Sequence, residues 1–416
     1  MAAAIEDCGN VQGGGKVLIT GGHFVIGSIV VTHSNLIIHL SSGSSLVGST
    51  DEADYPLIDV LPSYGVGRDV PTDKRFRPLI FITNATNVSI TGEGAGAGAA
   101  AALSDRSWEK EASVIDGRGQ GWWIKHFEKK LNYSRPRLVE CMFCFDFQVS
   151  DLCLRDSPFW TLHPYASMGV TVARVTVLAP GWAPNTDGVD PDSCSDVLIK
   201  DSVFKCGDDG VAIKSGLNEA GRNFNRPSEH IRIENITIDP EFDNGSTNGV
   251  SIGSEMSGGV FNVTVSGAHI TGCAVGVYVK SALGRGGEVN DITFEDISMD
   301  RVLEPIRFAI DYPYRRRLRL GQQDDERGVP TWKELEEVGA NEDDGGSGTP
   351  YLHNLAVRRL VAKGALRAGF FEGLEDSVID GIALEDVDID IATSLGFECA
   401  FATGTAVNVS PAPCFP

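Results

Sequence analysis

Two acidic segments follow one another in this chain, Asn185-Thr186-Asp187-Gly188-Val189-Asp190 and Gly207-Asp208-Asp209-Gly210-Val211-Ala212-Ile213-Lys214. Three of their carboxylates, Asp187, Asp208 and Asp209, sit beside glycines and just ahead of strand-like runs. Carboxylates gathered in this way can divide proton transfer between an acid and a base, which is what hydrolysis of a glycosidic bond requires. Mutual repulsion raises the pKa of one of them, and that suits the acid's part. The chemistry depends on an architecture that brings the two segments side by side.

An internal repeat supplies it. Short alternating runs recur at Val170, Asp196, His230, Asn262 and Asp291, their starts roughly 25 to 35 residues apart, the range of stacked repeat units. A second series reads Gly-Val-x-x-x-Ser, beginning at Gly188, Gly210, Gly249 and Gly276. Its alignment puts Val189, Val211, Val250 and Val277 in one inward row, and Pro191, Ile213, Ile252 and Val279 in the next. Asp192, Lys214, Gly253 and Lys280 then share an outward row, as do Asp190, Ala212, Ser251 and Tyr278. Like residues at like positions on successive coils fit an all-β parallel β-helix. A propeller fits poorly, because the Asn-Gly and Asp-Gly pairs stand before strands and not between paired ones. Superposed coils lie about 4.8 Å apart, which makes neighbours of Asp187, Asp209, Asn248 and Val275. Side-chain divergence is expected to open the acids to roughly 6.5–9.5 Å, with room for a water. Lys214, Lys280 and Arg285 form a local positive group near them, suited to a sugar carboxylate. The bland alternative is that these aspartates only cap turns.

The chain has 416 residues, is 42% hydrophobic and carries a formal net charge of -22. Length and composition allow a large core, and no apolar run of about 18 residues marks a membrane span. The acidity argues against nucleic acid or anionic membranes as partners and is read first as a device for solubility. Nine cysteines leave at least one unpaired. Cys399 and Cys414 are expected to clip the C-terminal tail; Cys141-Met142-Phe143-Cys144 lies in a strand-like run, which disfavours a redox or zinc role, and the remaining cysteines read as small buried hydrophobes. Asn-x-Ser/Thr triplets at Asn84, Asn87, Asn132, Asn235, Asn244, Asn262 and Asn408 lean towards a secreted glycoprotein. Residues 1–416 read as one β-helix domain, expected to be monomeric. Met1 to Cys8 has no leader-like pattern and reads as the end of an amphipathic helix, so the chain is taken to start inside a first element. Insertions are expected near 94–105 and 315–348, the second with a short helix at Trp332–Val338.

The acidic segments, with Ser251-Ile252-Gly253-Ser254, resemble the hallmark motifs of glycoside hydrolase family 28, the polygalacturonases. Residues 115–123, 157–164 and 253–259 resemble its plant-type and exo-acting members, so the likeness extends over most of the chain. The resemblance implies a right-handed parallel β-helix and inverting hydrolysis of α-1,4-galacturonosyl linkages in pectic polysaccharide at the cell wall, plausible as exo attack, with no cofactor or metal. It implies that Asp209 is the general acid, that Asp187 and Asp208 activate the water, and that Lys280 binds a galacturonate carboxylate. The family's Gly-His-Gly segment is Thr247-Asn248-Gly249 here, and its Arg-Ile-Lys segment is Tyr278-Val279-Lys280, with Arg285 as a substitute for the arginine. The family's tyrosine corresponds to Tyr312 or Tyr314.

Several assignments stay open on sequence. His163 is either a subsite residue or a structural strand histidine; Glu255 either meets substrate or pairs with an arginine. Trp122 and Trp123 read as core or end-cover ahead of sugar platforms. A polysaccharide lyase with Asp-held calcium and a catalytically weak wall-binding β-helix are the competing functions.

Overall fold

The computed structural model describes residues 1–66, 69–94, 112–240, 247–312 and 348–415. The insertions expected near 94–105 and 315–348 fall almost wholly outside these residues, as do Asn244, Tyr314 and the helix expected at Trp332–Val338. Three stacks of parallel strands make a β-helix. The site sheet runs through Ile29–Val31, Ile80–Thr83, Val139–Met142, Leu162–Tyr165, Val211–Ile213, Asn248–Ile252, Val275–Lys280 and Glu304–Ala309. Bridges Leu162 to Val189 and Val189 to Val211 carry it through the first acidic segment. A second sheet starts at Gly15–Ile19 and Leu36–Leu40, and a third at His23–Ile26 and Ser45–Gly48. Strands such as Ser195–Lys205 and Ser228–Ile238 turn the corner between those two and pair in both.

The rows expected from the Gly-Val-x-x-x-Ser alignment are the observed ones. Val211 partners Val250 and Val250 partners Val277, while Ile213, Ile252 and Val279 stack beside them. All are shut away from water, and each such aliphatic side chain contributes about 1.5–3 kcal/mol by burial. Phe294, Phe308, Phe371 and Phe397 continue the inner stack with ring centroids 5.5–6.2 Å apart. Helix α1 (Ala2–Gly9) covers the N-terminal end and buries Ile5; helix α2 (Gln120–Phe127) lies in an excursion between Asp116 and Val139 and buries Trp122 and Trp123; helix α3 is Asn218–Phe224. Among the described residues no helix is long and apolar enough to cross a membrane.

Cys141 is bonded to Cys144, and the two flank the Met142-Phe143 turn with Cα atoms 6.0 Å apart. Cys399–Cys414 forms as expected. Asn84, Asn87, Asn235, Asn262 and Asn408 all adopt left-handed backbone at coil corners, a conformation asparagine tolerates better than most residues. These five asparagines therefore have a structural reason to be there that is independent of glycosylation.

Candidate active site

The acids stand where strands of the site sheet begin. Gly188 N donates to Asp209 O at 3.0 Å and Gly210 N to Asn248 O at 2.9 Å, while Asn248 partners Val275. Asp187, Asp209, Asn248 and Val275 are thus successive rungs, as the alignment requires. Glycine follows all four rungs because neighbouring coils touch there. A Cβ on Gly188 would lie 2.4 Å from Gly210 O, and one on Gly249 2.3 Å from Gly276 O.

One carboxylate oxygen from each of Asp187, Asp208 and Asp209 falls within 4.8 Å of the others. These nearest-oxygen distances are shorter than the separation expected between an acid and a base with a water between them. Asn248 Nδ2 donates to Asp209 Oδ1 at 2.7 Å, and Lys280 Nζ donates to Asp209 Oδ2 at 2.7 Å. Both Asp209 oxygens thus accept from firm donors, one of them cationic, an arrangement suited to a carboxylate and not to a proton donor. That disagrees with the acid role the resemblance gives Asp209. Asp208 is half-buried where Asp187 and Asp209 are buried. Burial, then the charges of Asp187 and Asp209, push the Asp208 carboxyl well above the usual range. Its Oδ2 faces Asn185 Nδ2 at 3.4 Å and its Oδ1 accepts from Asp209 N at 2.9 Å.

Beneath the acids lies a second charged layer. Lys214 Nζ sits 3.3 Å from Glu255, 3.4 Å from Asp190 and 3.8 Å from Asp187, over the Trp160 ring at 4.6 Å. Asp187 Oδ1 and both Asp190 oxygens are buried without a hydrogen-bond donor. Three carboxylates around one ammonium leave surplus negative charge out of water, which is costly. A proton shared between Asp187 and Asp190 supplies the missing donor and removes one charge. Burial raises the Asp190 carboxyl to about 7 even though Lys214 opposes the shift, and burial followed by Asp190 raises Asp187 well above its ordinary value.

Three sequence-derived candidates lie buried. His163 is fully buried, with Nδ1 3.0 Å from Glu140 and Nε2 3.2 Å from Asp192, so it is structural and cannot be a subsite residue. Lys214 lies in the outward row as aligned, but it is 3% exposed and spent on internal acids, so it is a buried counter-charge and not a ligand for a sugar carboxylate. Glu255 pairs with that lysine. The cause is a cover no periodicity reveals. The 61–64 segment lies over the sheet, Tyr64 Oη donating to Asp192 at 2.6 Å and Tyr165 Oη to Ser63 Oγ at 2.9 Å.

The other candidates fit the site. Lys280 adjoins Asp209 and stands 5.6 Å from the Tyr312 ring, which makes Tyr312 a residue near the site. Half-buried Arg285 donates through Nε to Ser254 O at 3.1 Å and through Nη1 to Asn218. The buried Trp122 and Trp123 are core residues, as read. Sequence reasoning missed Arg135 and Asp69 and gave Asn185, quoted in the first acidic segment, no role of its own. Arg135 bonds Asp69 at 2.8 Å, Pro184 O at 2.9 Å and Asn185 Oδ1 at 2.7 Å, so it fixes the segment entering Asp187 and orients the amide facing Asp208. Asp69 is 66 residues upstream of Arg135, and no local pattern announces the pair.

Comparison with known proteins gives the family. Residues 105–330 match the model of glycosyl hydrolases family 28. A probable polygalacturonase of Vitis vinifera is 31% identical over 406 residues, 97% of this chain and 73% of the relative. An endo-polygalacturonase of Pectobacterium carotovorum subsp. carotovorum is 31% identical over 316 residues, 72% of this chain and 71% of the relative. Among solved structures, a hyperthermoactive exopolygalacturonase from Thermotoga maritima superposes with a TM-score of 0.77 at 25% identity, covering 98% of this chain and 86% of that one. The chain belongs to glycosyl hydrolase family 28, the polygalacturonase family, and is a glycoside hydrolase.

Proposed function

We propose that this protein hydrolyses α-1,4-galacturonosyl linkages in pectic polysaccharide, with Asp208 as the proton donor. Asp209 is the carboxylate that activates the water, and Asp187 orients it. The observation that carries this reading is the contrast between neighbours. Asp209 is held by Asn248 and Lys280, whereas the more accessible Asp208 keeps its proton through burial and two adjacent acids. The donor thus differs from the one implied by resemblance. Lys280 and Arg285 take the galacturonate carboxylates, with Tyr312 beside Lys280. The continuous core from Ile5 to Phe415 supports one β-helix domain. Two disulfides support an oxidising, extracellular setting.

Exo attack is supported by the likeness to the exopolygalacturonase of Thermotoga maritima, in a chain whose outer sheet face is covered by the 61–64 segment at Tyr165, Asp192 and Leu217. Incubation with polygalacturonate, products resolved by size, tests both points. Monomer from the first time point supports exo hydrolysis, an oligomer ladder means endo attack, and no product leaves a wall-binding protein. The lyase alternative has one observation in its favour, since three carboxylates within 4.8 Å could also hold a cation. A chelator would then abolish activity and an unsaturated, ultraviolet-absorbing product would form. Lys280 already brings a positive charge to Asp209, which favours the hydrolase.

A further inference from the structure

Trp182 is the one tryptophan on the segment leading into the acids, and it is 47% exposed. The segment is stiff. Ala183 N donates to Pro180 O, Thr186 Oγ1 to Ala183 O, and Gly207 N to Thr186 Oγ1 at 2.9 Å, which ties it to the residue before Asp208. The Trp182 ring meets the buried Trp123 of helix α2 edge-on at 5.3 Å, and Trp123 is itself anchored by its Nε1 to Ser157 O at 3.0 Å. A half-exposed indole held this firmly is a preformed flat surface.

Its surroundings depart from the rest of the molecule. Helix α2 and the residues after it present Lys125, Lys129 and Lys130 against one acid, Glu128, in a chain with 35 basic and 57 acidic residues, while His126 turns inward to Asp69. Ile124 and Phe127 are exposed between them, at 47% and 41%. Lys125 pairs with Glu52 and Lys130 with Glu128, both at the surface, where such pairs contribute about 0–1 kcal/mol and give way to a better partner. Exposed apolar side chains and ammonium groups carried by one helix, with the Trp182 ring against that helix, complement a polymer whose sugar rings are apolar on one face and carry a carboxylate on each unit. Neutral polymers would not need the lysines, and nucleic acid is disfavoured by the acidity elsewhere.

We infer that Trp182 and the basic face of α2 form an auxiliary binding surface for polygalacturonate on the N-terminal-coil side of the acids, engaging polymer outside the catalytic cleft. The inference rests on the galacturonan reading of the site. Its role is to retain long chains, so it acts on polymer affinity and not on the chemical step.

The full chain with W182A, W182F, or K129E/K130E tests this, by affinity electrophoresis in polygalacturonate gels and by kinetics on polygalacturonate and trigalacturonate. W182A and K129E/K130E are expected to weaken polymer retardation and raise polymer KM by roughly five- to tenfold, with kcat and trigalacturonate turnover within about twofold of wild type. W182F, which keeps a ring, recovers most of the affinity, and that separates a platform from a folding effect. Wild-type retardation and polymer KM in all three variants, with hydrolysis intact, overturns the surface alone. If the wild type hydrolyses no galacturonan yet is retarded through Trp182, the catalytic reading fails and the surface stands.

Discussion

Asn248 Nδ2 lies 2.7 Å from Asp209 Oδ1, so a side chain that does not titrate holds the acid rung where family members commonly carry a histidine. N248A removes a donor to a charged acceptor, about 1.5–3 kcal/mol, and is expected to lower kcat by roughly 10- to 100-fold. N248H should retain more activity than N248A and add a titration near pH 6.5 to kcat/KM that the wild type lacks. Unchanged kcat in N248A would show that the contact is idle.

Stability should peak in mildly acid solution. Asp187, Asp190 and Asp208 hold protons more tightly folded than unfolded, Asp190 up to about 7. Above about pH 4 the unfolded chain releases those protons while the folded one keeps them, so stability falls as pH rises towards 7. Asp69 and Glu140 act in the opposite sense. Burial disfavours their charge, but Arg135 for the first and Arg75 for the second hold both carboxyls below the usual range, so their stabilisation disappears as pH drops below about 4. Tm measured against pH should therefore be highest near pH 4–5, and D190N should flatten the fall above it. A D190N profile parallel to wild type would remove Asp190 from the proton-sharing pair.

The two lysines of the outward row should separate experimentally. K214M leaves Asp187, Asp190 and Glu255 without their counter-charge, and breaking a buried pair costs about 3–5 kcal/mol, so Tm drops sharply. K280M, at the acids themselves, should chiefly raise KM and lower kcat for galacturonan with a smaller change in Tm. Equal Tm losses would contradict the division into counter-charge and substrate ligand.

Much of this was legible because a β-helix converts sequence period into spatial adjacency. One Gly-Val-x-x-x-Ser alignment predicted that Asp187, Asp209 and Asn248 share a row and that Lys214 and Lys280 share another, and strand register reproduces both. What escaped the sequence has no period. The cover at Leu61–Tyr64 turns His163 and Asp192 from outward residues into buried ones, and Arg135 meets Asp69 across distant parts of the chain. The division of roles between Asp208 and Asp209 was also hidden, because it depends on which carboxylate the donors of later coils reach. The Cys141–Cys144 disulfide was not legible either, because the chain turns sharply at Phe143, which has positive φ, inside what reads as a continuous strand run.

The stereochemistry offers a further check. With Asp208 protonating the leaving oxygen and a water on Asp209, displacement occurs in one step. The first product seen by proton NMR should be the β anomer, and an α product would require a covalent intermediate instead.

The most direct measurement compares D208N and D209N on polygalacturonate and on an aryl α-galacturonide whose leaving group needs no protonation. If Asp208 is the donor, D208N loses roughly 10²- to 10⁴-fold on the polymer and far less on the aryl substrate, while D209N is impaired on both. Wild-type rates of reducing-sugar release by D208N, or leaving-group rescue confined to D209N, would contradict the account.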